Sequence, residues 1–299
     1  MIELHAHTTV SDGGDSPSEL VAAAYGAGIK TLAVTDHDND AGCTEAQEEG
    51  IRLGVDVIRG VEISCDVEDL ASDGYAPLAR PTMHLLGYFV PSAPNPLSKA
   101  LAELQHHRAN RNHLIVERLN ELGIPVTFEE IENEAGGPGA QIGRPHFAAV
   151  LVRHGAVQDY QTAFDMYLAK GAKAYVGRKL LKPVEAIELM LRAGAVPVFA
   201  HPFTMNLEPR DLERFVDELV AGGLKGIEGY HGDWTEAAQQ PLRDLGKRNN
   251  LVVSGGSDYH GDMRPDRGMP GGKHGVITPD GVVDELRDVA AGLATSAVG

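Results

Sequence analysis

The sequence predicts an α/β fold, built on a parallel sheet or barrel and broken once by a long helical segment. Three observations carry that reading. Short apolar runs alternate with helical patterns at both ends of the 299-residue chain. Between about residues 94 and 171 the alternation stops, and the pattern becomes helical, rich in charge and histidine. Histidines and carboxylates recur where the apolar runs end.

The elements follow in order. The first strand is IELHAHT. SPSELVAAAYGAG reads as a helix: Ser16 is a good N-cap, Pro17 suits the first turn, Glu19 can complete a capping box and Gly28 is a stop signal. TLAVTDHD is a second strand, a helix starts near Thr44, and DVIRGVEIS is a third strand. After a polar loop at about 66–81, TMHLLGYFV reads as a strand. The helical segment then holds SKALAELQHHRANRNHLIVERLNELG, GRPHFAAVLVRHG and YQTAFDMYLAKG. Strands resume at KAYVG, VPVFAHP, GIEGYHG and LVVSGGSDYHG. Between them lie helices at PVEAIELMLRAG, PRDLERFVDELVAGG and EAAQQPLRDLGKRNN, the last with its start shifted by proline. A Gly/Pro-rich loop covers 262–275 and a final amphipathic helix about 280–293. The expected organisation is a core of residues 1–93 and 172–299 around a helical insertion of 94–171.

Composition excludes several classes. Hydrophobic residues make up 42% of the chain, enough for a sizeable core. No apolar run approaches the roughly 18 residues of a membrane helix, and polar residues appear from Glu3 onward, so a soluble cytoplasmic protein is expected. The formal charge of −17 argues against duplex nucleic acid, which needs a basic face. Cys43 and Cys65 form no CxxC pattern and read as reduced, incidental thiols.

Chemistry concentrates at the strand ends. His5 and His7 are two apart, so on a strand both side chains point the same way. His37, Glu62, His84 and His201 lie at or near the ends of four other strands, and Asp258 and His260 repeat the two-residue spacing. In α/β barrels the C-terminal strand ends form the active-site face. Mixed imidazole and carboxylate donors without thiolate suit Mn, Fe or Zn.

The motifs HAH, TDHD, GVE, HLLGY, AHP and SDYH, in that order, resemble those of the polymerase-and-histidinol-phosphatase (PHP) family of metal-dependent phosphoesterases. The resemblance covers essentially the whole chain and implies a distorted (β/α)7 barrel holding two or three divalent cations. It implies one cation held by His5, His7, Glu62 and Asp258, a second by Asp12, His37 and His260, and a third by Glu62 with His84 and His201. Three dications would outweigh three carboxylates, so an anionic guest is expected inside an acidic protein.

The expected chemistry is attack of a metal-bridging hydroxide on phosphorus, with Asp258, His201 and His260 as the catalytic set. Arg108 and Arg111, three apart on one helix face, are candidate phosphate contacts. Arg144, Arg178 and His231 join them through similarity to the nucleotide-acting branch of the family. His106, His107, His113, His154 and His274 read as surface residues, and Trp234 as packing at the core or rim. That branch implies a phosphatase of nucleoside 3′,5′-bisphosphates or 5′-monophosphates, acting as a monomer or small homo-oligomer. The alternatives are a histidinol-phosphate phosphatase, a 5′-exonuclease of short RNA and a metal-stabilised scaffold. The 262–275 loop looks longer than the family's usual run and is either a substrate contact or a rim.

Overall fold

The structure is a computed structural model. It describes residues 1–77, 79, 81–92, 94–137, 142–177 and 179–296. Among the described residues seven strands lie side by side in chain order. They are β1 (Ile2–Glu3), β2 (Thr31–Val34), β3 (Asp56–Cys65), β4 (Met83–Tyr88), β5 (Val196–Ala200), β6 (Gly226–His231) and β7 (Val252–Gly256). The sheet curls until its first and last strands meet just beyond their ends. There the His7 amide donates to the Tyr259 carbonyl at 2.9 Å and the Tyr259 amide to the His5 carbonyl at 3.2 Å. The result is a seven-stranded barrel, nearly closed.

The sheet is mixed rather than wholly parallel. β4 runs antiparallel to both β3 and β5, while the other neighbours are parallel. A parallel return needs a crossover long enough to span the sheet, usually a helix. The described residues between β3 and β4 form only turns, so the chain comes straight back.

The helices are α1 (Pro17–Gly26), α2 (Cys43–Leu53), α3 (Pro96–Glu121), α4 (Phe128–Glu134), α5 (Arg144–Arg153), α6 (Tyr160–Ala163), α7 (Pro183–Ala193), α8 (Pro209–Ala221), α9 (Glu236–Arg248) and α10 (Val282–Ser296). Ser16 and Glu19 form the capping box read in the sequence. α9 starts earlier than its proline suggests: Thr235 caps it, and Pro241 lies within it. KAYVG is not a strand. Its Ala174 and Lys173 amides donate to Tyr167 and Met166, which ties it to the helical segment. The chain rejoins the sheet at Leu181, bridged to Cys65.

Alternate strand residues, Leu4, Ala33, Ile58, Leu86, Val198 and Val252 among them, pack together and against α10. This apolar set fills the barrel near the strand starts, which leaves the opposite mouth to polar side chains. α3 to α6 carry a separate apolar cluster that includes Ile115, Leu119, Phe147 and Leu151. No helix among the described residues is long and apolar enough to cross a membrane.

Candidate metal centre

All seven strand ends contribute to one polar centre. His5 and His7 follow β1 on either side of Ala6, which packs with residues of α1 and α2, and both are fully buried. Their rings are fixed from behind. His5 Nδ1 lies 3.0 Å from Glu228 Oε1 on β6, and His7 Nδ1 lies 3.4 Å from Ser11 Oγ. Each therefore presents Nε2 to the centre. The β1 turn is held by buried Asp36, which accepts from the Thr8 amide at 2.8 Å and the Thr8 hydroxyl at 2.7 Å. That anchor sets Asp12, two residues before Gly14, against the cluster.

Glu62 on β3 occupies the middle. Its Oε1 lies 2.7 Å from His84 Nδ1 and 2.8 Å from His201 Nε2. Its Oε2 lies 3.0 Å from His37 Nδ1, 3.2 Å from His7 Nε2 and 3.4 Å from His5 Nε2. Asp258 Oδ1 sits 3.2 Å from His7 Nε2 and 3.5 Å from His5 Nε2. His260 Nε2 and Asp12 Oδ1 are 3.4 Å apart. Donor atoms sharing a cation at about 2.1 Å stand about 3.0 to 3.4 Å from one another, so the spacing suits ligation.

Two backbone features aim these groups. His201 and Asp258 have positive φ, 28° and 54°, a conformation that costs about 1 to 3 kcal/mol in non-glycine residues and is retained where the site demands it. Gly256, at the end of β7, lets His5 pass: a Cβ there would stand 2.5 Å from the His5 Cβ.

The buried polar atoms test whether a cation belongs here. His5 Nε2, His7 Nε2, Asp12 Oδ1 and Glu62 Oε2 are all buried without a hydrogen-bond partner. Leaving such an atom unpaired costs about 1 to 3 kcal/mol, more when charged. Buried imidazoles and carboxylates without thiolates fit Mn, Fe or Zn, so donor chemistry and spacing agree. Burial opposes charge on His7, yet Asp258 and Glu62 outweigh it and push its pKa up to about 10. Burial wins at His37, pulling it down to about 3. Burial likewise opposes ionisation of Glu62 and Asp258, but the surrounding imidazoles hold both well below the usual carboxylate range.

The structure thus brings together all nine residues read as ligands. The candidate phosphate contacts fare differently. Arg108 donates to Asp38 Oδ2 at 2.5 Å, a buried ion pair. Arg111 donates to Asn112 Oδ1 at 3.1 and 2.6 Å. Arg144 donates to the Leu168 carbonyl at 3.4 Å, inside the helical segment. Arg178 lies outside the described residues. His231 does reach the centre, with Nε2 3.9 Å from Asp258 Oδ2. The Asp233 amide donates to its Nδ1 at 3.1 Å, which places the ring proton of the neutral form on Nε2. Trp234 packs at the rim, 4.7 Å from His231 and 5.3 Å from Phe203 between ring centres.

Sequence reasoning missed four contributors. Glu228, fully buried on β6, holds His5 and also accepts from the His201 amide at 2.7 Å. Glu3 accepts from the His5 amide at 3.1 Å and the Ser257 amide at 2.8 Å, and burial pushes its pKa up to about 7. Asp36 and Arg267 complete the set. An acid inside an apolar strand, as in GIEGYHG and IELHAH, was the available signal for the first two.

Comparison with known proteins places these features in context. Residues 3–173 match the PHP domain. The chain is 33% identical to a 5′-3′ exoribonuclease of Haemophilus influenzae, over 86% of this chain and 89% of that one. It is 30% identical to a 3′,5′-nucleoside bisphosphate phosphatase of Chromobacterium violaceum, over 87% of each. Among solved structures it resembles an amidohydrolase of Chromobacterium violaceum with bound sulfate and no metal. There the TM-score is 0.80 at 29% identity, over 96% of both chains.

Proposed function

The chain belongs to the PHP-domain family, and from that premise we propose that it is a metal-dependent phosphoesterase that removes phosphate from a small nucleotide. The preferred substrate is a nucleoside 3′,5′-bisphosphate or a 5′-monophosphate. One observation carries the reading: buried, partnerless imidazole and carboxylate atoms converge at the barrel mouth at ligand spacing. His5, His7, Glu62 and Asp258 would hold one cation, Asp12, His37 and His260 a second, and Glu62, His84 and His201 a third. When bound, such cations supply Lewis acidity toward phosphoryl oxygens and make water acidic enough to act near neutral pH.

The chain's own residues do the rest. Glu228 fixes His5 and the backbone of His201 together, so two strand ends keep one spacing. Thr204 holds His201 Nδ1 at 3.1 Å and the Asp258 carbonyl holds His260 Nδ1 at 2.8 Å, which directs both Nε2 atoms at the centre. His231 offers its Nε2 proton to a phosphate oxygen as a neutral donor. Trp234 and Phe203 wall one side and keep water from it. Arg111 supports the phosphate from α3, with its guanidinium oriented by Asn112.

The similarity to an exoribonuclease supports a second reading, release of 5′ nucleotides from short RNA. The charge of −17 limits that reading to short chains. The test is phosphate release from a nucleoside 3′,5′-bisphosphate, a 5′-mononucleotide and histidinol phosphate, beside nucleotide release from 5′-phosphorylated short RNA. Turnover of the nucleotide monoesters, lost to a chelator and restored by Mn, is the expected result. No turnover of any phosphoester by metal-replete protein would leave the scaffold alternative standing.

A further inference from the structure

The arginine that reaches this centre most directly comes from the 262–275 loop. That loop is docked rather than loose. The His274 amide donates to the Gly232 carbonyl at 3.0 Å and the Gly272 amide to the Gly268 carbonyl at 2.8 Å. Backbone meets backbone there: a Cβ on Gly232 would stand 2.6 Å from the Gly272 Cα. Seated in this way, the loop drives Arg267 inward until its guanidinium is largely buried. One amino group pairs with Asp258 Oδ2 and the other with Asp233 Oδ2. Arg264 and Trp234 line the same cavity.

Asp258 is therefore divided. Its Oδ1 faces His5, His7 and His260, at 3.5, 3.2 and 3.5 Å, and its Oδ2 faces Arg267 and His231. We propose that Arg267 is a substrate-anion residue of this site, taking a phosphate oxygen once cations on Oδ1 have neutralised Asp258. The assignment rests on the phosphoesterase reading and deepens it.

The electrostatics set the order. Between two carboxylates the guanidinium's charge is spent, and an incoming phosphate would meet net negative charge. With cations held by the imidazoles that Oδ1 faces, Asp258 would share its charge with them and loosen its hold on Arg267. The guanidinium keeps Asp233 as its brace and turns its freed donors to the phosphate, which it can meet with two parallel hydrogen bonds. Asp233 also fixes His231 through its backbone amide, so one turn after β6 positions both anion donors.

The sign of the metal response separates this role from a structural one. A guanidinium that merely positioned Asp258 would help the cations bind. A guanidinium that serves the anion sits near the cations as a like charge, and its loss leaves them bound as tightly or tighter.

The experiment is a pair of titrations on the full chain, Mn into metal-free protein and inorganic phosphate into Mn-loaded protein. Arg267→Ala and Arg267→Lys are compared with the parent. Expected for Arg267→Ala are Mn affinity equal or higher and phosphate affinity about ten- to a hundredfold lower. Arg267→Lys should fall between, because it keeps the charge and loses the fork. Phosphate affinity within twofold of the parent in both variants would overturn the assignment. So would a fall in Mn affinity that accounts for the phosphate loss. Should Arg267→Ala not fold, Arg267→Lys carries the same two outcomes. Neither titration needs turnover, so Arg267 can be judged even if the protein proves to hydrolyse no phosphoester.

Discussion

The barrel mouth and the helical segment both bury polar side chains, and they do so in opposite ways. At the mouth, His5 Nε2, His7 Nε2, Asp12 Oδ1 and Glu62 Oε2 are buried with no hydrogen-bond partner. In the helical segment the buried Arg108, Asn112 and His146 side chains each have a partner. Arg108 meets Asp38, Asn112 donates to the Ile142 carbonyl at 3.1 Å, and His146 Nδ1 accepts from the Gly143 amide at 3.0 Å. Polar burial alone marks neither function nor architecture. Satisfied polar groups hold a fold in register, whereas a convergent set left unsatisfied by the chain asks for a ligand from outside it.

The comparison breaks most severely at Glu62. Glu62→Ala removes the carboxylate that touches five of the imidazoles, and bound metal per chain should drop, with turnover falling about ten-thousandfold or more. Metal analysis of the purified variant beside steady-state kinetics checks both. Arg111→Ala is the paired control from the helical segment: metal content stays at the parent level and KM rises about tenfold. Equal metal loss in the two variants would erase the distinction between the regions.

Next in size is the ion pair joining the two regions. Asp38 is fully buried, has a positive φ of 52° and accepts from the Ser64 amide at 3.0 Å, so it cannot move out to water when its partner is lost. Arg108→Ala strands that carboxylate and should cost about 3 to 5 kcal/mol in a denaturant titration. Metal content of the folded fraction should stay unchanged. A cost below about 1 kcal/mol would mean that Arg108 is held for substrate rather than for the fold.

The two regions were also unequally legible in the sequence. Strand ends are readable because period-two alternation fixes which residues share a face, and a histidine at such an end has few apolar reasons to be there. HAH and SDYH therefore pointed to the centre without knowledge of the barrel. Arginines on a helix carry no comparable signal. Arg108 and Arg111 share a face by spacing, but spacing does not give their partners: Arg108 meets Asp38 of a distant segment, whereas Arg111 meets its own neighbour Asn112. Arg267 was least visible of all, since its position depends on how glycines at 232 and 272 let two backbones touch. The antiparallel course of β4 escaped for a related reason: apolar alternation gives a strand its faces but not its direction.

The smallest expected effect is the most discriminating about where the centre ends. Cys65 lies on β3 three residues after Glu62, close enough in sequence to be mistaken for another donor. The strand alternates its faces, so Glu62 enters the mouth while Cys65 joins Val61, Ile63 and Met83 in the apolar core. Burial raises the Cys65 pKa well above the ordinary thiol value and pushes Cys43 up to about 12. At pH 8 a thiol with that pKa is ionised in about one molecule in ten thousand, and the thiolate is the reactive form. Iodoacetamide should therefore leave both cysteines unlabelled in the native protein, with or without a chelator, while denatured chain reacts fully. Labelling that began on metal removal would show that the core yields when the centre empties. The barrel would then depend on its ligand for packing as well as for chemistry, and the division between satisfied architecture and unsatisfied site would fail at β3 itself.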